Sequence, residues 1–262
     1  MKWLHDGYTL EDVYSKVKAA KDRVLLTDYD GTLAPFVYER GRAKPYPEVM
    51  TVLNEIAKAD RSRVIVISGR SIQGLSRLFK LDAPVEMWGT HGWERQNEEG
   101  ERTTWPISDE AREALYEVIN WAENEEFSSH LEVKPASVAL HWRGTDAHMR
   151  EHLMDRSAKI MGSLAEKTGL ELHEFDGGRE LRVPGRNKGL AVERILQDVD
   201  KNTYLSYLGD DKTDEDAFGV IGTKGLRVLV RNEARDTKAD LWLRPPRELL
   251  RFLEGWLAAL RG

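Results

Sequence analysis

The run Val24-Leu25-Leu26-Thr27-Asp28-Tyr29-Asp30-Gly31-Thr32-Leu33 decides how this chain reads. Its apolar start has no polar alternation, which predicts a strand buried on both faces, as strands are inside parallel sheets. The strand then breaks into two acids flanking one residue, and a glycine follows that permits a tight turn. Working outward, similar apolar runs recur at Val64-Ile65-Val66-Ile67, Val85-Glu86-Met87-Trp88, Tyr204-Leu205-Ser206-Tyr207-Leu208, Val228-Leu229-Val230 and Leu241-Trp242-Leu243. Between them lie apolar residues at helical spacing, such as Met50, Leu53, Ile56 and Ala57, or Leu190, Ala191, Ile195 and Leu196. Strand alternating with helix predicts an α/β core built on a doubly wound parallel sheet.

The stretch 97–183 reads differently. Asn97-Glu98-Glu99-Gly100-Glu101 is a turn. Ser108-Asp109-Glu110 then starts a helix whose face is Ala111, Leu115, Val118, Ile119 and Ala122. Two alternating strands follow. Leu131 and Val133 oppose Glu132 and Lys134 in the first; Val138, Leu140 and Trp142 oppose Ala139, His141 and Arg143 in the second. A second helix runs from about Asp146 to Thr168 and stops at Gly169. Residues 170–175 and 180–183 then form a hairpin about Asp176-Gly177-Gly178. The expected organisation is a core of 1–96 and 184–262 with an inserted α+β domain at 97–183. His148 and His152, one helical turn apart, lack an accompanying Glu-x-x-His and read as an exposed helix face.

Composition bounds the function. The chain has 262 residues, enough for one large domain or two small ones. Lys and Arg number 39 against 45 Asp and Glu, a net charge of −6, which gives no footprint for nucleic acid or an anionic membrane. Cysteine is absent, so disulfides, Cys-ligated zinc, iron–sulfur clusters and thiolate catalysis are excluded. The first twenty residues hold no apolar signal core and no run is long enough to span a bilayer. The expectation is a cytoplasmic monomer acting on a small molecule.

Open α/β sheets bind ligands at the carboxyl ends of their strands. Past the expected strands lie Asp28-Tyr29-Asp30, Ser68-Gly69-Arg70, Thr90-His91-Gly92 and Gly209-Asp210-Asp211-Lys212-Thr213-Asp214-Glu215-Asp216. Carboxylates from separate strands would crowd at one sheet edge. Two unit charges about 4 Å apart repel by roughly 4 kcal/mol at an effective dielectric near 20, so a cation is needed between them. Oxygen-only ligands suit Mg²⁺, which also accepts a substrate phosphate. Ser68 offers a hydroxyl to phosphate, and Lys188 heads a helix where an anion would be held. Those parts compose a phosphoryl-transfer site in which Asp28 attacks, Mg²⁺ and Lys188 cancel charge and Ser68 positions.

The four segments around Asp28, Ser68, Lys188 and Asp210 resemble the motifs of the haloacid dehalogenase superfamily of phosphatases, over nearly the whole chain. This implies a Rossmann-like core with an α/β cap. Within the superfamily the chain is similar to the trehalose-6-phosphate phosphatase family, through His91-Gly92-Trp93-Glu94, Glu132-Val133-Lys134, His141-Trp142-Arg143, Glu180-Leu181-Arg182 and the run from Gly209 to Phe218. The resemblance implies that Asp28 becomes the aspartyl-phosphate, and that Asp30 protonates the leaving sugar oxygen and then activates water. It implies Mg²⁺ on Asp28, the Asp30 carbonyl and Asp210, with Asp211 or Asp214 in support, and phosphate on Ser68, Gly69 and Lys188. Glu132, Lys134, Arg143 and Glu180 would grip sugar hydroxyls from the polar face of the cap sheet. His91 either caps a turn or touches substrate.

The expected activity is Mg²⁺-dependent hydrolysis of trehalose 6-phosphate. Alternatives remain. Sucrose phosphate, a mannosylglycerate-type phosphate or a hexose phosphate would need only different cap contacts. A glycosyltransferase would use Asp28-Tyr29-Asp30 as a metal-binding Asp-x-Asp but leaves Ser68 and Lys188 unexplained. A signalling receiver module has similar acids and a lysine but no inserted domain.

Overall fold

The computed structural model describes residues 1–5, 7–37, 40–175 and 177–262. The chain divides into two units, Met1–Thr103 with Asn187–Gly262, and Thr104–Arg186.

The first unit opens with β1 (Lys2–Trp3), α1 (Leu10–Ala19), β2 (Arg23–Thr27), α2 (Pro47–Lys58), β3 (Ser62–Ile67), α3 (Ile72–Leu78) and β4 (Glu86–Gly89), then β5 (Glu94–Gln96) and β6 (Arg102–Thr104). The turn Asn97–Glu101, read from sequence as the start of the insertion, joins β5 to β6 at the edge of the core sheet. It is closed by the Asn97 side chain, whose Oδ1 accepts from Glu101 N at 2.8 Å.

The second unit contains α4 (Asp109–Asn124), β7 (Leu131–Lys134), β8 (Ser137–His141), α5 (Ala147–Thr168), β9 (Glu171–Phe175) and β10 (Gly178–Arg182). Its helix limits are chemical. Ser108 caps α4 by accepting from Ala111 N, Asp146 caps α5 by accepting from Met149 N, and Gly169 ends α5 at φ 69°. The four strands form an antiparallel sheet ordered β7-β8-β10-β9. Strand β8 ends at His141, so Trp142 and Arg143, expected to continue its alternation, lie beyond it. Both donate their N–H groups to Gly177 O instead. Asp176, expected in this turn, lies outside the described residues.

The chain returns to the first unit with α6 (Lys188–Asp198), β11 (Tyr204–Gly209), α7 (Asp214–Ile221), β12 (Gly225–Val230), β13 (Leu241–Leu243) and α8 (Arg247–Arg261). The core sheet is ordered β1-β13-β12-β11-β2-β3-β4-β5-β6. Strands β13 through β4 in that order are mutually parallel. Both of their faces are buried, which explains the unbroken apolar runs. Leu25, Val64, Val66, Val228 and Val230 pack in one cluster with Val17 of α1, Leu53 of α2 and Phe252 and Trp256 of α8. The alternate residues Leu26, Ile65, Ile67 and Leu229 are also fully buried, and α7 lies against β11 and β12. Among the described residues no helix is long and apolar enough to cross a membrane.

Chain order runs outward from β2 through β3 to β4, then outward the other way from β11 through β12 to β13. The order therefore reverses between β2 and β11, and the crevice at their carboxyl ends is where such sheets bind ligands.

Candidate active site

Asp28 and Asp210 are the residues that follow β2 and β11, so the reversal of strand order sets them side by side. Asp28 N donates to Leu208 O at 2.8 Å across that boundary. A Cβ on Gly31, which stands at φ +80°, would lie 2.2 Å from Oδ2 of Asp210, so glycine alone lets the Asp30–Thr32 turn pass this close. Asp28, Asp210 and Asp214 each offer an oxygen within 4.8 Å of the others, and all are buried. Lys188, the first residue of α6, places Nζ 2.8 Å from Asp28 Oδ1 and 2.8 Å from Asp214 Oδ1.

With all three buried carboxylates ionised, one buried ammonium would leave two negative charges uncompensated. Burial pushes the Asp28 carboxyl up to about 7; Lys188 offsets part of this and Asp214 adds to it. Burial, then Asp28 and Asp214, push Asp210 well above the carboxylate range. Burial works against the charge on Lys188, but Asp214 and Asp28 outweigh it and hold the ammonium protonated. Oxygen donors, no nitrogen or sulfur ligand and an excess of two charges fit a magnesium ion.

Asp211 and Asp214, alternatives in the sequence, separate here. Asp211 is exposed, whereas Asp214 is fully buried. Asp214 Oδ1 accepts from Lys188 Nζ and, at 2.6 Å, from Tyr207 Oη; Oδ2 accepts from the N–H groups of Asp210 and Asp211, each at 3.0 Å. It thus anchors the acidic loop as much as it contributes charge. Burial, then Asp214, raises the Tyr207 hydroxyl well above its usual range, so it stays a donor. Arg231 and Arg235 hold the same loop from outside, through Asp210 O at 3.2 and 3.3 Å, and Arg235 also through Asp211 O at 2.7 Å.

Asp30 turns its carboxylate to Arg70, which donates through Nε and a terminal nitrogen at 2.6 Å each. Ser68 is fully buried at the end of β3, and its Oγ accepts from Arg70 N at 3.2 Å. His91 follows β4 with its ring against Gly69. Asp28, Asp30, Ser68, Gly69, His91, Lys188 and Asp210 therefore all lie in one unit at the carboxyl edge of one sheet.

In the second unit, pairing places Glu132, Lys134, Ser137, His141 and Glu180 on one sheet face. The other face packs Leu131, Val138, Leu140 and Leu181 on Leu115, Val118, Leu153 and Met161 of its helices. On the polar face Glu180 Oε1 accepts from Lys134 Nζ at 2.7 Å and from Ser137 Oγ at 2.6 Å. Glu132 meets His141 Nε2 at 3.1 Å. Arg143 lies apart from the strand faces, against Gly177 in the turn.

Arg70, Tyr207, Ser137, Arg231 and Arg235 were not singled out from the sequence. Arg70 stood in a quoted motif without a role, and its partner is 40 positions away. Tyr207 was visible only as a hydroxyl inside an apolar strand. No sequence signal marks Ser137, Arg231 or Arg235.

The fold is that of haloacid dehalogenase-like hydrolases. It superposes on such a hydrolase from Bacteroides thetaiotaomicron with TM-score 0.64 at 14% identity, covering 89% of this chain and 99% of that one. It superposes more fully on the C. albicans trehalose-6-phosphate phosphatase C-terminal domain, with TM-score 0.77 at 20% identity, covering 98% and 99%. The trehalose-phosphatase family model matches residues 26–245, and the chain belongs to that family. Among curated relatives, the alpha,alpha-trehalose-phosphate synthase [UDP-forming] B of Dictyostelium discoideum is 32% identical over 80% of this chain, which spans only 26% of that protein's length. Trehalose-phosphate phosphatase B of Arabidopsis thaliana is 27% identical over 91% of this chain and 67% of its own.

Proposed function

We propose that this chain is a magnesium-dependent phosphatase that hydrolyses trehalose 6-phosphate to trehalose and phosphate, acting as a cytoplasmic monomer. The observation that carries this reading is the excess of buried carboxylate over ammonium at the crevice between β2 and β11. Asp28 and Asp210, with the Asp30 carbonyl, would hold the metal, with Asp214 in support behind them; when bound, the metal supplies charge neutralisation to the phosphate oxygens. Ser68, the Gly69 backbone and Lys188 bind those oxygens.

Asp28 attacks phosphorus, and the bond from phosphorus to the sugar oxygen breaks. Asp30, entering this step protonated and turned from Arg70 to the substrate, gives that oxygen its proton, so the sugar leaves as an alcohol and an aspartyl-phosphate remains. Asp30 then takes a proton from water as the water oxygen attacks phosphorus. The acyl-phosphate bond breaks, Asp28 is restored and orthophosphate leaves. Sugar recognition falls to Glu132, Lys134, Arg143 and Glu180, with His91 at the phosphate end. A carboxylate, an ammonium and a hydroxyl within hydrogen-bond reach of one another suit an uncharged ligand rich in hydroxyl groups.

The test is a panel of sugar phosphates incubated with Mg²⁺ and assayed for orthophosphate. Trehalose 6-phosphate is expected to give the highest kcat/KM. Faster release from sucrose phosphate, a mannosylglycerate-type phosphate or a hexose phosphate would reassign the sugar; no release from any ester would remove the phosphatase reading.

A further inference from the structure

The segment after β4 is the most strained stretch of backbone near the crevice. Thr90, His91 and Gly92 stand consecutively in the left-handed region, at φ 47°, 52° and 100°. Glycine adopts this region freely, but a β-branched threonine does so only where surrounding contacts impose it. Those contacts are specific. Glu94 Oε2 accepts from Thr90 Oγ1 at 2.7 Å and from Ile72 N, in the first turn of α3, at 3.2 Å. Thr90 N donates to Arg70 O at 2.7 Å, and His91 N donates to Ser68 O at 3.0 Å.

The turn touches the loop that carries Ser68 and Gly69 and lies against the cap of the helix that carries Lys188. A Cβ at residue 69 would lie 2.6 Å from Cε1 and 2.6 Å from Nε2 of His91, so the imidazole fills the space beside Gly69 that any other residue would occupy. A Cβ at residue 92 would lie 3.1 Å from Asn187 O, the cap of the helix that begins with Lys188. The turn thus lies between the Ser68–Arg70 loop and the start of α6.

We propose that Glu94 is a positioning residue for phosphate binding: it holds the left-handed Thr90–Gly92 turn, which braces His91 on Gly69 and abuts the helix carrying Lys188. This rests on the phosphatase reading of the crevice. Glu94 acts through the turn and touches no substrate. A carboxylate that only capped α3 would bond to Ile72 N; the second bond to Thr90 joins that cap to the phosphate site.

The test measures orthophosphate binding to the whole chain with Mg²⁺, by calorimetry and by competitive inhibition of p-nitrophenyl phosphate hydrolysis. Glu94→Ala and His91→Ala should each weaken binding about tenfold, and the double variant by that same factor, because both changes remove one device. Glu94→Gln should stay within about twofold of the parent, since its single amide oxygen can accept both bonds that Oε2 accepts. Unchanged affinity in Glu94→Ala, or a roughly hundredfold loss in the double variant, overturns the proposal. If Glu94→Ala does not fold, Thr90→Ala removes the same link while leaving the bond to Ile72 N. It should weaken binding several-fold, and parental affinity would overturn the proposal. Should the parent hydrolyse p-nitrophenyl phosphate but not trehalose 6-phosphate, the sugar assignment falls while this test still runs.

Discussion

Two buried lysines, one in each unit, sit against carboxylates at nearly equal distance and yet imply different chemistry. Lys188 lies 2.8 Å from Asp28 and from Asp214, with Asp210 completing a cluster that one ammonium cannot balance. Lys134 lies 2.7 Å from Glu180, which also accepts from Ser137, while Glu132 stands off at 3.8 Å and turns to His141. Burying charge is costly unless it is paired. The second cluster is closer to paired, since Glu180 takes Lys134 and Ser137 while Glu132 takes His141. The first is not, and its two excess negative charges suit a divalent cation. On the proposed reading, imbalance goes with chemistry and balance with recognition.

The comparison breaks most decisively at Asp28. Asp28→Asn keeps the shape but removes the nucleophile, and kcat should fall by roughly 10⁴-fold or more, with no phosphoenzyme trapped by acid quench. Substantial residual turnover with a trapped phosphoenzyme would place the nucleophile elsewhere. Asp210→Asn should leave a working nucleophile with a poorer metal site. The Mg²⁺ concentration for half-maximal rate should rise by about 10- to 100-fold, and excess Mg²⁺ should recover much of the rate. On the other side, Glu180→Ala should lower kcat/KM for trehalose 6-phosphate by about tenfold and leave p-nitrophenyl phosphate nearly untouched. Equal losses on both substrates would mean that the balanced cluster is not a recognition surface.

The same contrast governs what was legible in the sequence. Strands such as Val64–Ile67 show as unbroken apolar runs because burial on both faces leaves no polar period to confuse. The helix starts at Ser108 and Asp146 were readable because a side-chain oxygen must satisfy free N–H groups there. Asp28 and Asp210 were readable for a related reason, since each closes a strand and lies within its own motif. Partnership across the fold was not. Nothing near Asp30 points to Arg70, and the acidic run does not tell exposed Asp211 from buried Asp214 until α7 turns the latter inward. The edge hairpin of β5 and β6 was missed because its residues are polar on both sides and carry no alternation. Trp142 was read into a strand it leaves because its period continues past the last paired residue, His141.

The finest test of the contrast is the pH dependence of stability with and without metal. The Asp28 carboxyl, raised to about 7 in the fold from an ordinary value of 3.8, binds a proton more tightly folded than unfolded. Its contribution is therefore full below about pH 4 and is lost as the pH rises through 7, and Asp210 acts in the same direction. Magnesium binds the ionised carboxylates, so its stabilisation must grow across the same window. The difference in Tm between Mg²⁺ and EDTA should be small at pH 5 and reach roughly 5 °C at pH 8 with metal at about 100 times Kd. Asp28→Asn cannot ionise there and should flatten that rise. A difference already full at pH 5 would mean that the carboxylates are ionised without metal, and the imbalance that separates the two lysine sites would vanish.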